Sequence, residues 1–108
     1  MEFDKYQQET HKTAVYPQEQ GLSYCGLGLC GEAGEVAEKI KKVIRDSGGV
    51  VSDEKREDLK KELGDVLWYH AQLCSQLGLS MSEVAQGNLD KLFSRKDRGK
   101  LKGSGDDR

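Results

Sequence analysis

Residues 32 to 37, Glu-Ala-Gly-Glu-Val-Ala, and residues 62 to 67, Glu-Leu-Gly-Asp-Val-Leu, carry one pattern thirty positions apart: acid, apolar, glycine, acid, apolar, apolar. On a helix, Glu32 and Glu35 stand about 60° apart on one edge, and Glu62 and Asp65 repeat that placement. If the apolar stripes beside them (Leu29, Ala33, Val36, Ile40 and Val43; Leu59, Leu63, Val66, Leu73 and Leu77) pack together, four carboxylates share a small volume. Like charges at short range repel and raise one another's pKa, and a divalent cation resolves the conflict. Ligation by oxygen alone, without His or Cys, favours Mg²⁺, with Mn²⁺ as its substitute, over Zn²⁺.

A single acid pair at i,i+3 is commonplace in a chain that is 33% charged and is usually a solvated face. Two matched pairs, each enclosing a glycine and each bordering an apolar stripe, are not explained that way. Gly34 and Gly64 lie between the paired acids, where a missing side chain permits close approach of another helix or a ligand. A di-iron carboxylate bundle expects Glu-x-x-His on two helices, whereas His70 follows Asp65 by five positions, in register with the apolar stripe. His70 therefore reads as a core residue.

The elements that must hold these acids are helical. Periodicity predicts a first helix over residues 2–16, stopped by the only proline, Pro17. A second spans about Leu22 to Arg45 and stops at Gly48-Gly49. Ser52 or Asp53 caps a third that reaches Leu77. Ser-Met-Ser-Glu at 80–83 has the form of a capping box and opens a fourth to about Arg95. No stretch alternates as a strand, so the fold class is all-α, a four-helix-bundle-type core of long antiparallel helices. Residues 1–96 form the helical domain. Residues 97–108, rich in glycine and charge, read as a flexible tail whose glycine N–H groups and Arg108 offer contacts to phosphate.

With 108 residues, 35% of them hydrophobic, the chain makes one domain with a thin core, which invites completion by oligomerisation. A net charge of −2 with interspersed signs argues against a broad nucleic-acid surface. The sequence contains no apolar run of membrane-spanning length, and its first residues are too polar for a signal peptide. The odd cysteine count and the lack of any CxxC pair fit free thiols in a reducing compartment, so the cytoplasm is the expected location.

The Glu-x-x-Glu of "GEAGEVAEK", the Glu-x-x-Asp of "ELGDVLWY" and the later "NLDKLFSRK" resemble the MazG-like superfamily of all-α nucleoside triphosphate pyrophosphohydrolases, in particular its short phage-type single-domain members. That resemblance implies hydrolysis of a nucleoside triphosphate to the monophosphate and pyrophosphate. Glu32, Glu35, Glu62 and Asp65 are then the Mg²⁺ ligands, and the metal lowers the pKa of an attacking water. Asn88, Lys91 and Arg95 match the family's Asn-x-x-Lys-x-x-x-Arg pattern for phosphate or sugar contacts. Tyr69, one turn beyond Asp65, is placed to bond to or pack on the nucleotide, while Trp68 reads as core or interface.

One departure stands out. Many relatives place a further glutamate directly before the first motif acid, where this chain has Gly31. Water activation then falls to the metal or to Glu38, one turn further along, although "EKIKK" is equally an ion-pair run. The resemblance also implies assembly as a homodimer or dimer of dimers and nucleotide-pool house-cleaning. A phosphoribosyl-nucleotide substrate, or a helical interaction module whose acids merely solvate it, are the competing readings.

Overall fold

The computed structural model describes residues 1–108 and is all-helical. Helix α1 spans Phe3–Thr10, α2 Gly21–Ser47, α3 Asp53–Gln76 and α4 Met81–Asp97, with short 3-10 turns at His11–Thr13 and Gln18–Gln20. No helix is long and apolar enough to cross a membrane.

Local chemistry sets the long helices' ends. Gly48 takes φ 60° and the Gly49 N–H returns to the Val43 carbonyl at 3.1 Å, closing α2. The Ser52 hydroxyl accepts the Lys55 N–H at 3.1 Å to open α3. At α4 the cap is richer than a capping box. Ser80 Oγ accepts the Glu83 N–H at 3.2 Å, while α1 supplies the rest: Asp4 Oδ1 accepts the Ser82 N–H at 3.1 Å and the Ser80 hydroxyl at 2.8 Å, and Gln7 Oε1 accepts the Met81 N–H at 2.8 Å. These bonds hold the Asp4 carboxyl below its ordinary pKa, the Ser82 N–H contributing most and the Ser80 hydroxyl next.

The first helix is shorter than its periodicity predicts. Thr10 and Thr13 turn their hydroxyls back onto the carbonyls of Gln7 (2.6 Å) and Thr10 (3.2 Å), the local bonding that competes with continued helix. The chain then runs as a linker to α2, and Tyr16 lies buried against α3.

Helices α2 and α3 form an antiparallel hairpin, but its seam is rotated from the predicted apolar stripes. Cys25, Gly28, Leu29, Glu32, Val36, Lys39 and Val43 are buried or half-buried along α2, with Gly21 and Gly26 near its start. Leu59, Glu62, Val66 and Tyr69 are their counterparts on α3. Ala33, Ile40, Leu63 and Leu77, expected inside, are exposed, with Leu63 at 57%. The seam sits about 50° closer to the acids than the stripes do, because the aliphatic stems of Glu32, Lys39 and Glu62 cover apolar surface as carbon chains do.

The C-terminal half of α3 is central, with α2 on one side and α1 and α4 on the other. Ala71, Cys74 and Met81 make a small core against which Tyr6 and Val84 pack. His70 sits beside it, half-buried, its Nδ1 3.8 Å from Cys74 Sγ. Burial raises the Cys74 thiol pKa. All three cysteines are free, Cys25 and Cys74 buried and Cys30 exposed. The radius of gyration is 16.8 Å, against about 13 Å for a compact domain of this length. Only ten residues are buried, so a single copy leaves much apolar surface uncovered.

The tail takes a defined path back to α4. Arg108 donates to the carbonyls of Lys100 (3.0 Å), Gly105 (2.8 Å) and Leu101 (3.2 Å), and Arg98 Nη1 donates to the Arg108 carbonyl at 2.5 Å. Gly99, Gly103 and Gly105 supply the positive φ angles for these turns.

Candidate metal and nucleotide site

Glu32 comes from the middle of α2, and Glu62 and Asp65 from the middle of α3. One oxygen from each lies within 4.8 Å of the others, a group able to hold a metal ion. Glu32 and Glu62 are half-buried in the seam and Asp65 is exposed at its edge. The Glu32 carboxyl is pushed above its ordinary pKa, first by burial, then by its hydrogen bond with Glu62 and the charges of Asp65, Glu62 and Glu35. A set of carboxylates that cannot all ionise comfortably has the chemistry of a hard-cation site, and the donors fit one. The only cation at the cluster's border is Lys39, whose Nζ stands 3.9 Å from Glu62 Oε1.

Glu35 is exposed and lies outside this group of three, although its charge reaches Glu32. Glu38 points elsewhere: Lys41 holds it at 3.0 Å and Lys42 stands at 3.9 Å. Lys41 lowers its pKa. Within this chain Glu38 belongs to a surface ion-pair run and does not reach the carboxylates.

Beside the acids opens a cleft of about 270 Å³ lined by Thr13, Glu32, Asp65, Trp68 and Tyr69. Its wall is aromatic. Trp68 and Tyr69 meet edge to face at 5.0 Å between ring centres, Tyr24 lies 6.3 Å from Tyr69, and Tyr16 stacks on Tyr24 at 4.9 Å. Trp68 Nε1 donates to Thr13 Oγ1 at 2.9 Å. Burial, followed by neighbouring Tyr24, raises the Tyr69 pKa, so its hydroxyl stays protonated at neutral pH.

Tyr69 therefore lies where the sequence placed it, while Trp68, expected in a core or interface, lines the cleft. The role assigned to the glycines moves. Gly34 and Gly64 face away from the seam, about 200° from Glu32 and Glu62, and a side chain at either would meet open space. The close approach occurs at Gly28, where a Cβ would run into the Tyr69 ring.

The residues of α4 are not brought to this cleft within one chain. Asn88 lines a separate groove with Phe3, Leu67, His70, Met81 and Val84, and Lys91 is exposed. Arg95 is 7% exposed and donates to the Asp106 carbonyl at 2.5 Å. Thr13, which lines the cleft, and Tyr16 and Tyr24, which back its aromatic wall, are the residues that sequence reasoning missed. Thr13 and Tyr16 fall in a stretch read as the end of the first helix and Tyr24 in the first turn of the second, and no spacing between them signals a shared wall.

The comparisons with known proteins agree with this geometry. The family described as the MazG nucleotide pyrophosphohydrolase domain matches residues 20–99, which include both acid motifs and all of α4. The "Gene 37 protein" of Mycobacterium phage L5 is 54% identical to the chain over 114 aligned positions, covering 100% of each. No solved structure matches the chain. By the extent of the family match and by its site, the chain belongs to the MazG nucleotide pyrophosphohydrolase family.

Proposed function

We propose that the protein hydrolyses a nucleoside or deoxynucleoside triphosphate to the monophosphate and pyrophosphate, with Mg²⁺ held by Glu32, Glu62 and Asp65 and with Glu35 at the rim. The observation that carries this reading is the convergence of three carboxylate oxygens within 4.8 Å at the wall of a cleft of about 270 Å³. A bound divalent cation supplies Lewis acidity to phosphate oxygens and an acidified water.

The chain's own residues do the rest. Glu32, Glu62 and Asp65 would hold the divalent cation whose charge meets the triphosphate, and Lys39, 3.9 Å from Glu62, offsets part of the negative excess there. Trp68 and Tyr69 shield one flank from water and offer aromatic faces to a base or sugar. Thr13 accepts the Trp68 N–H, which holds the indole against the linker.

We further propose that the enzyme works as a homo-oligomer in the cytoplasm, removing unwanted nucleotides from the pool. The exposed apolar residues Leu22, Ile40, Ile44, Leu63 and Leu67 support assembly with a second copy. The three free thiols fit a reducing compartment. Lys91, which is free of the cleft in one chain, is proposed to meet substrate phosphate in the assembled enzyme.

The test is incubation with a panel of nucleoside triphosphates and Mg²⁺, followed by ion chromatography. Monophosphate plus pyrophosphate is the expected outcome. Diphosphate plus orthophosphate overturns the bond assignment, and turnover confined to phosphoribosyl-nucleotides overturns the substrate class.

A further inference from the structure

Gln72 is the largest fully buried side chain, 1% exposed, in a chain with little core to spare. Its amide is used at both ends. Oε1 accepts the Tyr16 hydroxyl at 2.5 Å, and Nε2 donates to Thr10 Oγ1 at 2.8 Å. Thr10 is the last residue of α1 and Tyr16 lies in the linker to α2, so one α3 side chain grips the chain at two points six residues apart, spanning most of that linker. Gln76, one turn further on, adds bonds to the Tyr16 hydroxyl at 3.1 Å and to Gln18 Oε1 at 3.2 Å.

The gripped segment forms one side of the cleft. Thr13, between the two anchor points, lines it and accepts from Trp68; Tyr16 lies edge-on to Trp68 at 6.4 Å and stacks on Tyr24. Asp65, Trp68 and Gln72 follow one another at i, i+3 and i+7 along the same edge of α3. A carboxylate, the aromatic wall and the clamp are thus built on one rigid helix.

An apolar residue of the same volume fills a core with no obligation to pair polar groups, and replacing paired buried polar groups by apolar ones is often close to neutral for stability. A fully satisfied buried network contributes a single geometry instead. Resting on the nucleotide reading of the cleft, we propose that Gln72 is a positioning residue: through Tyr16 and Thr10 it fixes the α1–α2 linker as the wall against which the nucleotide binds. It touches no reacting group, and its effect passes through Tyr16, Thr13 and Trp68.

The test compares Gln72→Leu with wild type in the full chain. The variant keeps the volume and leaves partners for both anchors, since Gln76 still donates to the Tyr16 hydroxyl and Thr10 still donates to the Gln7 carbonyl. The wall binds ground state and transition state alike, so KM for the triphosphate is expected to rise about tenfold with kcat within about twofold. Trp68 is the chain's only tryptophan, so its emission reports on the wall directly and is expected to shift to the red in the substrate-free variant. Tyr16→Phe should move KM and emission the same way, and the double variant should fall short of the sum of the two singles, because both remove the shared Tyr16–Gln72 bond.

Unchanged KM and emission accompanied by a lower Tm would overturn the proposal and leave Gln72 an ordinary core residue. If wild type turns over no triphosphate, the nucleotide reading fails by itself. The emission of the two variants, read without substrate, still decides whether the clamp sets the wall.

Discussion

The Tyr69 ring lies directly over the backbone of Gly28, in the space that any side chain at position 28 would occupy. This contact packs α3 against α2 one turn before Glu32 and sets the ring that flanks the cleft. Gly28→Ala is therefore expected to displace Tyr69 and destabilise the fold by about 1–3 kcal/mol, the usual penalty of overpacking. Denaturant unfolding checks it, and a stability equal to or above wild type would show that the ring is free to move.

Gly34 and Gly64 should behave in the opposite way. Their outer faces are open, so Gly34→Ala and Gly64→Ala are each expected to stabilise an isolated chain by up to about 1 kcal/mol through helix propensity. The measurement is Tm at a dilution where single copies dominate. A loss of stability there would mean that another surface packs against these glycines.

Glu32→Gln relieves repulsion in the cluster. Without metal, the folded protein holds the Glu32 proton above the ordinary value of 4.5. Stability is thus fully present below that value and declines as pH rises through the raised folded pKa. Glu32→Gln should flatten this decline, lower turnover by at least about 100-fold, and lose the Mg²⁺-induced rise in Tm. For wild type that rise corresponds to about 2.7 kcal/mol at a hundredfold excess of Mg²⁺ over its dissociation constant. Melts across pH 4 to 8, with and without Mg²⁺, test all three, and an undiminished metal response in the variant would remove Glu32 from the ligand set.

Asp4 gives the reverse pH signature. Its folded pKa is depressed below 3.8 by the Ser82 N–H and the Ser80 hydroxyl. Its contribution is present above 3.8 and is lost as pH falls through the depressed value. Asp4→Ala should lower Tm at pH 7, with the gap to wild type closing in strong acid. A gap that stays constant with pH would show that the carboxylate charge plays no part.

What could be read from the sequence followed the range of the interactions. The ends at Gly48, Ser52 and Ser80 were legible because capping is decided within a few residues. The approach of Glu32 to Glu62 and Asp65 was legible because the motif occurs twice at one helical phase. The cleft wall was not: Tyr16 reaches Gln72 across 56 positions and Trp68 reaches Thr13 across 55, and no periodicity encodes such bonds. The seam's rotation was missed because charged residues with long stems pack like apolar ones. Arg95 was read for its charge, yet the tail's return to α4 covers it.

The cap that α1 places on α4 joins residues 4 and 82, a separation of 78 positions. The cap of α4 thus draws on side chains made at the very start of the chain. The α2–α3 hairpin closes through short loops and is the part that can order while synthesis is still under way. The first helix to leave the ribosome can settle on α3 through Gln7–Ser75 and Thr10–Gln72, but a chain stopped before residue 80 would leave Asp4 without the backbone and hydroxyl donors it binds in α4.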